Sequence, residues 1–184
     1  DSDKPIFLGA EDGTSELAVA RFPEPRSWRD VLEAVRVLHE DAHDFRTLVL
    51  DTLDWAEPLC WRHICAGATK KNGDPIKDIE DFGFGAGFRI AIDEWRVLLA
   101  RLDALRAKRE MHVILLAHSQ IRAFKNPIGE DYDRYELKIH SKAAGLIKGW
   151  CETVLFAQYE TFAVEDKKTK RAKGVSSGLR IVQT

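Results

Sequence analysis

The sequence of 184 residues has little cysteine and no long apolar run, and both shortages exclude classes of protein. Its three cysteines, Cys60, Cys65 and Cys151, form no C-x-x-C pair and no Cys/His spacing typical of structural zinc. A disulfide framework and a zinc module are therefore not expected. No apolar run approaches the roughly 20 residues that cross a bilayer, and the first ten residues lack a secretory pattern. We expect a cytoplasmic protein that does not contact a membrane.

An excess of positive charge is also missing. The chain has 28 Lys and Arg residues against 30 Asp and Glu residues, a formal net charge of −2. Any site for a polyanion must therefore be local rather than a property of the whole surface. The length and a hydrophobic content of 45% fit one domain with a sizeable core.

Three short apolar runs, each ended by a polar residue or a turn, indicate buried strands, and amphipathic stretches between them indicate helices. Ser27 can cap the first helix, with Asp30 at its third position. The predicted strands are Pro5–Ala10, Thr47–Asp51 and His112–Ala117, and the other predicted helices are Leu53–Ala66 and Arg89–Glu110. This alternation predicts a mainly parallel sheet with helices on both faces.

The remaining segments have weaker patterns. Residues 67–88 show neither a helical nor a strand period and are predicted to be a long loop, and residues 119–139 are predicted to be a polar loop. Residues 143–150 indicate a helix and residues 153–159 a fourth strand. Residues 162–182 indicate a hairpin, whose tip at residues 167–173 is the strongest basic run of the chain. A solvated turn is the usual meaning of such a run, and a phosphate contact is the alternative.

The carboxyl ends of the predicted strands carry the candidate chemistry, because ligands of open parallel sheets bind there. Asp51 could hold a magnesium-bound water beside phosphates, with Thr52 in support. Glu11 could polarise an attacking water, and His118 could donate a hydrogen bond to a phosphate. Taken singly, Asp51 could equally cap a helix, Glu11 could be a turn residue, and His118 could be structural.

Several segments together resemble a known family. Phe7-Leu-Gly-Ala-Glu11-Asp-Gly is similar to the strand that carries the catalytic glutamate of RecA recombinases, and Leu48-Val-Leu-Asp51-Thr52 is similar to their Walker B strand. Leu115-Leu-Ala-His-Ser-Gln120-Ile-Arg122 is similar to their sensor strand. The segments at 83–88, 126–135 and 137–142 resemble phage RecA-like nucleotide-binding proteins associated with single-strand annealing. The resemblance covers nearly the whole chain.

The resemblance implies a RecA-like ATPase core that uses ATP and Mg²⁺, binds single-stranded DNA and forms a ring or filament, with a phage single-strand-binding or annealing protein as a further partner. It implies catalytic roles for Glu11, His118 and Gln120, with Gln120 coupling phosphate to DNA. Nucleotide contacts are implied for Asp51, Thr52 and Lys142, where Lys142 or Lys138 would reach a neighbouring subunit. Cations for the backbone and rings for bases lie in the two loops, and the implied DNA contacts are Lys70, Lys71, Phe84, Arg122, Lys125, Tyr132 and Arg134.

One motif of that family is missing. The sequence contains no G-x-x-x-x-G-K-[ST] loop, which cradles phosphates. We expect that the loop precedes the first strand, and that residues 1–184 are a single core lacking this segment and a final strand. Two alternatives stay open: a binding module of the same fold without catalysis, and an ATPase of this type that acts on protein partners.

Overall fold

The structure is a computed structural model, and it describes residues 2–11, 18–165 and 172–184. Asp12 and Gly13, which end the segment that resembles the glutamate-bearing strand, lie outside these ranges, as does most of the basic run at 167–173. Within them the chain divides into two compact units, Asp1–Leu146 and Ile147–Thr184. No helix among the described residues is both long and apolar enough to span a membrane.

The first unit is built on a four-stranded sheet in which every pair of neighbours is parallel. Its strands are β1 (Pro5–Gly9), β2 (Ala20–Arg21), β3 (Thr47–Asp51) and β4 (His112–Leu115), in the order β2-β1-β3-β4. The first four residues of β3 are buried, as expected of a strand between two others. The three predicted strands are confirmed, and β2 was not predicted because it is only two residues long.

Three helices flank this sheet and contact one another: α1 (Trp28–Glu40), α2 (Leu53–Cys65) and α3 (Ala86–Arg109). Ser27 and Asp30 form the predicted capping box at the start of α1. The indoles of Trp28 on α1 and Trp95 on α3 are fully buried and meet edge to face at 5.1 Å. This aromatic pair anchors the helices to each other through burial of large apolar area.

The prediction of an unstructured loop at 67–88 is corrected. The segment contains a 3₁₀ helix, Ile79–Phe82, with its own capping box from Asp78 and Asp81, and α3 begins at Ala86 rather than Arg89. Ile76, Ile79 and Cys65 form a small buried cluster beneath it. The apolar residues are too few for a recognisable period, yet they suffice to fix a short turn.

The prediction of a loop at 119–139 is also corrected, because the segment forms an antiparallel hairpin of β5 (Ser119–Phe124) and β6 (Tyr132–Leu137). Most of its side chains are exposed. A hairpin exposed in this way needs no alternation of apolar and polar residues, and such alternation is the signal by which strands are predicted.

Helix α4 (Ser141–Trp150) leads to the second unit, whose strands β7 (Phe156–Glu165) and β8 (Ala172–Gln183) pair antiparallel with each other. The predicted fourth strand at 153–159 is therefore corrected: its residues from 156 belong to the hairpin. A short turn joins antiparallel strands, whereas parallel pairing needs a longer crossover. The predicted fold class is confirmed as a mainly parallel sheet flanked by helices, followed by a C-terminal hairpin.

Candidate functional site

The carboxyl ends of three strands meet at one edge of the sheet. The backbone N–H of Ala10 donates to the carbonyl of Asp51 at 2.6 Å, and that of Leu116 donates to Leu50 at 2.9 Å. The N–H of Leu53 donates to Leu116 at 2.8 Å, which ties the start of α2 to the end of β4. The residues at the ends of these strands or just beyond them, Glu11, Asp51 and His118, are therefore delivered to the same edge, as predicted from the sequence.

Asp51 and Thr52 form the centre of this edge. Burial raises the pKa of Asp51, the charge of Asp54 raises it further, and the nearby His118 opposes this rise. The peptide bond between Asp51 and Thr52 is cis. The hydroxyl oxygen of Thr52 is buried and makes no hydrogen bond of ordinary geometry.

A carboxylate beside a buried hydroxyl fits Mg²⁺, which is held by one or two protein oxygens together with water and phosphate. Among the described residues no three His, Cys, Asp or Glu side chains converge as the ligands of a metal ion. The donor set therefore fits a cation that arrives with phosphates, with Asp51 and Thr52 as the residues that would hold it.

Asp54 is a residue of this site that the sequence analysis missed. Its side chain is only 5% exposed and accepts two hydrogen bonds from His118, one from the backbone N–H at 3.0 Å and one at the ring Nδ1 at 2.9 Å. Burial raises the pKa of Asp54, but hydrogen bonds, first those from His118 and then those from the Thr52 side chain and the Asp54 backbone, outweigh it and leave the pKa lowered. An ionised Asp54 fixes the ring so that Nε2 is the nitrogen left for a ligand.

Gln120 and Lys142 make their contacts with residues other than those of this centre. The side-chain amide of Gln120 donates to the carbonyl of Leu137 at 3.0 Å, across the base of the hairpin. Lys142 is exposed in the first turn of α4, where its backbone N–H contacts Nδ1 of His140 at 3.4 Å. Their predicted roles in coupling and in nucleotide binding stay predictions.

One face of the β5–β6 hairpin combines cations with aromatic rings. Arg122 stands opposite Arg134, and Phe124 stands opposite Tyr132 in the antiparallel register. The Arg134 guanidinium lies 4.1 Å from the Phe124 ring centre, and the two rings are 5.1 Å apart. Because alternate residues share a face, these four side chains form one surface.

Acidic residues accompany these cations. Lys125 bonds Asp131 at 2.6 Å, and Arg134 bonds Glu136 at 2.5 Å. Residues 119–137 contain three cations and four carboxylates, since Arg122, Lys125 and Arg134 stand against Glu130, Asp131, Asp133 and Glu136. The hairpin therefore has a net charge of −1, and any attraction to a polyanion must come from the arrangement of Arg122 and its neighbours.

The three predicted DNA contacts in segment 67–88 are placed differently from one another. Lys70 is paired with Asp81 at 2.6 Å, so this ammonium already has a partner. Lys71 is exposed. Phe84 is fully exposed and has a φ of 47°, a left-handed conformation that is uncommon outside glycine. Of the three, Phe84 and Lys71 are accessible to a ligand.

The comparison with family models agrees with this arrangement. The model described as "AAA domain" matches residues 1–182 of the chain. The chain belongs to the AAA domain family. Membership indicates a nucleotide-binding protein of the ATPase type, which fits the Asp51 and His118 edge. No curated protein and no solved structure gives a match to the chain.

In the AAA domain, an aromatic contact joins the start of α3 to the segment that follows the β5–β6 hairpin. The ring of Phe88, at the start of α3, stacks on that of His140 with a centroid distance of 4.1 Å and an angle of 4°. Trp61 on α2 meets Phe88 edge to face at 5.5 Å. The segment that ends at α3 and the segment that follows the hairpin therefore share one aromatic contact beside α2.

Proposed function

We propose that this AAA domain binds single-stranded DNA through the β5–β6 hairpin and that ATP turnover at the strand-end edge controls the DNA-bound state. The observation that carries the proposal is the position of the hairpin. β5 begins at Ser119, directly after His118, which Asp54 holds beside Asp51. The resemblance to phage recombination proteins supports DNA as the ligand of the hairpin.

The strand-end residues have distinct roles in this proposal. Asp51 and Thr52 hold Mg²⁺, which neutralises phosphate charge when bound. Glu11 orients and polarises the attacking water, and Asp54 positions His118 toward the phosphate. Residues 1–184 contain no G-x-x-x-x-G-K-[ST] motif, so turnover needs a phosphate-binding loop that this sequence does not contain.

The cation and aromatic face of the hairpin supplies the DNA contact. Arginine contacts phosphates, and rings stack on bases without regard to their sequence. Phe124 and Tyr132 lie between the arginine pair and the tip of the hairpin, so that a strand laid along this face meets charge and then rings.

Oligonucleotide binding tests the proposal. Affinity for an oligo-dT strand, measured by fluorescence anisotropy, should fall as salt rises, and the double variant R122A/R134A should weaken binding. Loss of two phosphate contacts should make the negative slope of log K against log[salt] less steep by about 1.4. Lys108→Ala, which removes an exposed cation from α3, is the matched control and should change neither value. Wild-type protein without oligonucleotide affinity would refute the DNA part of the proposal.

A second candidate is an AAA domain that acts on a protein partner. The net charge of −1 on residues 119–137 favours it, because phosphates are repelled by such a surface. Ile121 and Tyr135, exposed and paired on the other face of the hairpin, offer an apolar contact. Oligonucleotide binding that is absent or independent of salt would support this candidate over DNA.

A further inference from the structure

Two carboxylates of one helix hold both legs of the β5–β6 hairpin. The first leg starts after His118, whose backbone and ring bond to Asp54. The second leg ends at Leu137, and three residues later the backbone N–H of His140 donates to both Oε atoms of Glu57, each at 3.0 Å. Asp54 and Glu57 are three positions apart on α2 and therefore lie on the same side of it.

The two legs are also bonded to each other at this level. The backbone N–H of Lys138 donates to the carbonyl of His118 at 2.8 Å, and the Gln120 amide donates to Leu137 at 3.0 Å. Beyond this base, most side chains of the hairpin are exposed. The base is therefore where α2 can determine the position of the whole hairpin.

Glu57 is an unusual residue for such a place, because it is only 5% exposed. A carboxyl group buried to this extent is costly unless it is hydrogen-bonded. The His140 N–H provides that bond, and the stacking of the His140 ring on Phe88 holds the donor in place. The mechanism proposed above makes no use of Glu57.

We propose that Asp54 and Glu57 form a two-point clamp on the hairpin, in which Glu57 is a positioning residue that acts through the backbone of His140. The clamp couples the hairpin to the strand-end edge, because Asp54 belongs to both. The clamp itself stands on the contacts described here, whereas its effect on DNA affinity rests on the proposed function.

Two substitutions of Glu57 separate reach from charge. Glu57→Gln keeps the length of the side chain and one acceptor oxygen, whereas Glu57→Asp keeps the charge and withdraws the carboxylate by one methylene. Hydrogen exchange of the amides at 119–124 and 132–137 is the measurement. We expect exchange to rise about tenfold in E57D, since the hydrogen bond from the His140 N–H is lost, and less than about threefold in E57Q.

The exposed residue Glu24 provides the matched controls, and neither E24D nor E24Q should change exchange in the hairpin. Unchanged exchange in E57D would overturn the clamp. The reverse order, with E57Q loosened and E57D intact, would also overturn it, because attraction between Glu57 and Arg122 would then position the hairpin. Equal increases in β3 and α1 would show general destabilisation and likewise count against the clamp.

If E57D does not fold, a comparison of the wild type with E57Q tests the contact between Glu57 and the His140 backbone. The groups that bear on Glu57 are Asp54 on its own helix, Arg122 on β5 and the His140 backbone. Burial lowers the pKa of the His140 ring, and the charges of Lys142 and Arg122 lower it further. Burial raises the pKa of Glu57 to about 7, so the NMR shift of the His140 amide proton should change as the pH passes through 7 in the wild type. In E57Q that change should be absent, because only the His140 ring remains to titrate, at lower pH. An amide shift that titrates identically in both proteins would refute the contact.

Oligonucleotide affinity forms the last arm of the test. E57D should bind oligo-dT about tenfold more weakly than the wild type, and E57Q should bind within about threefold, in parallel with hydrogen exchange. If the wild type binds no oligonucleotide, the proposed function fails while the exchange data still decide on the clamp. If E57D loosens the hairpin yet binds DNA as the wild type does, the proposed coupling is overturned.

Discussion

Glu57 holds an ionisable carboxyl group in a nearly dry environment. Burial is the main cause that raises its pKa to about 7, the charge of Asp54 adds to the rise, and the hydrogen bond from His140 opposes it. The carboxyl group is therefore protonated in the folded protein at pH values where it is ionised in the unfolded chain. Its contribution to stability is complete below its ordinary pKa and is lost as the pH rises through about 7.

The residue-scale prediction follows from that sign. Glu57→Gln imitates the protonated carboxyl, so the free energy of unfolding of E57Q should match that of the wild type below the ordinary pKa of 4.5, near pH 4. Near pH 8 it should exceed the wild-type value by about 2–3 kcal/mol, since each pKa unit corresponds to about 1.4 kcal/mol. Urea unfolding at the two pH values measures the difference. A difference that is the same at both would show that Glu57 does not titrate in this way.

The strand-end residues and the α2 residues differ in how visible they are in the sequence. Asp51 and His118 follow apolar runs, and the rule that ligands bind at the carboxyl ends of parallel strands identifies them. Asp54 and Glu57 look like ordinary polar positions on a helix. Their partners, His118 and His140, lie 64 and 83 positions away along the chain. Single-sequence periodicity contains no information about such distant contacts.

At the scale of elements, the start of α3 packs tightly on the 3₁₀ helix Ile79–Phe82. A Cβ atom placed on Gly87 would lie 2.2 Å from the backbone oxygen of Ile79 and 2.9 Å from the Phe82 ring. Neither distance is possible for real atoms without a shift, and a backbone oxygen in a capped turn cannot move freely. Glycine at this position therefore permits the close approach of two elements.

Gly87→Ala should lower the free energy of unfolding by about 1–3 kcal/mol, the usual cost of excess volume in a packed contact. Gly145→Ala on α4 is the control, because no atom lies within 4 Å of its added Cβ. The control should be unaffected or gain roughly 0.5–1 kcal/mol from the better helix propensity of alanine. Urea unfolding measures both variants. A Gly87→Ala variant as stable as Gly145→Ala would contradict the tight packing.

The elements also differ in how far the sequence could predict them. β3 was predicted with its observed bounds, because Leu48-Val-Leu50 is buried between two neighbouring strands and forms a continuous apolar run. The β5–β6 hairpin, in contrast, was predicted to be a loop. It is held at its base by α2 and by pairing between its own strands, not by burial of an apolar face. Ile121 and Tyr135 are exposed there. No burial requirement acts on such a hairpin, and without one no pattern appears.

At the scale of the whole molecule, the parallel sheet gathers residues that are distant along the chain. Glu11, Asp51 and His118 arrive at one edge because three parallel strands end there. This convergence was predicted from the order of strands and helices alone. The positions of these residues depend on the sheet, whereas turnover depends on phosphates held beside them.

Folding and turnover should therefore separate in a polypeptide of residues 1–184. We expect an α/β circular dichroism spectrum with cooperative unfolding, because the sheet and the helices around it are present. We expect little phosphate release from ATP, because the sequence has no G-x-x-x-x-G-K-[ST] loop to hold the γ-phosphate beside Asp51 and Glu11. Positioning and charge neutralisation supply most of the catalysis of phosphoryl transfer, and neither residue can replace the backbone N–H groups and lysine of that loop. Magnesium-dependent turnover that is robust in this polypeptide and lost in Asp51→Asn would show that other residues hold the phosphates.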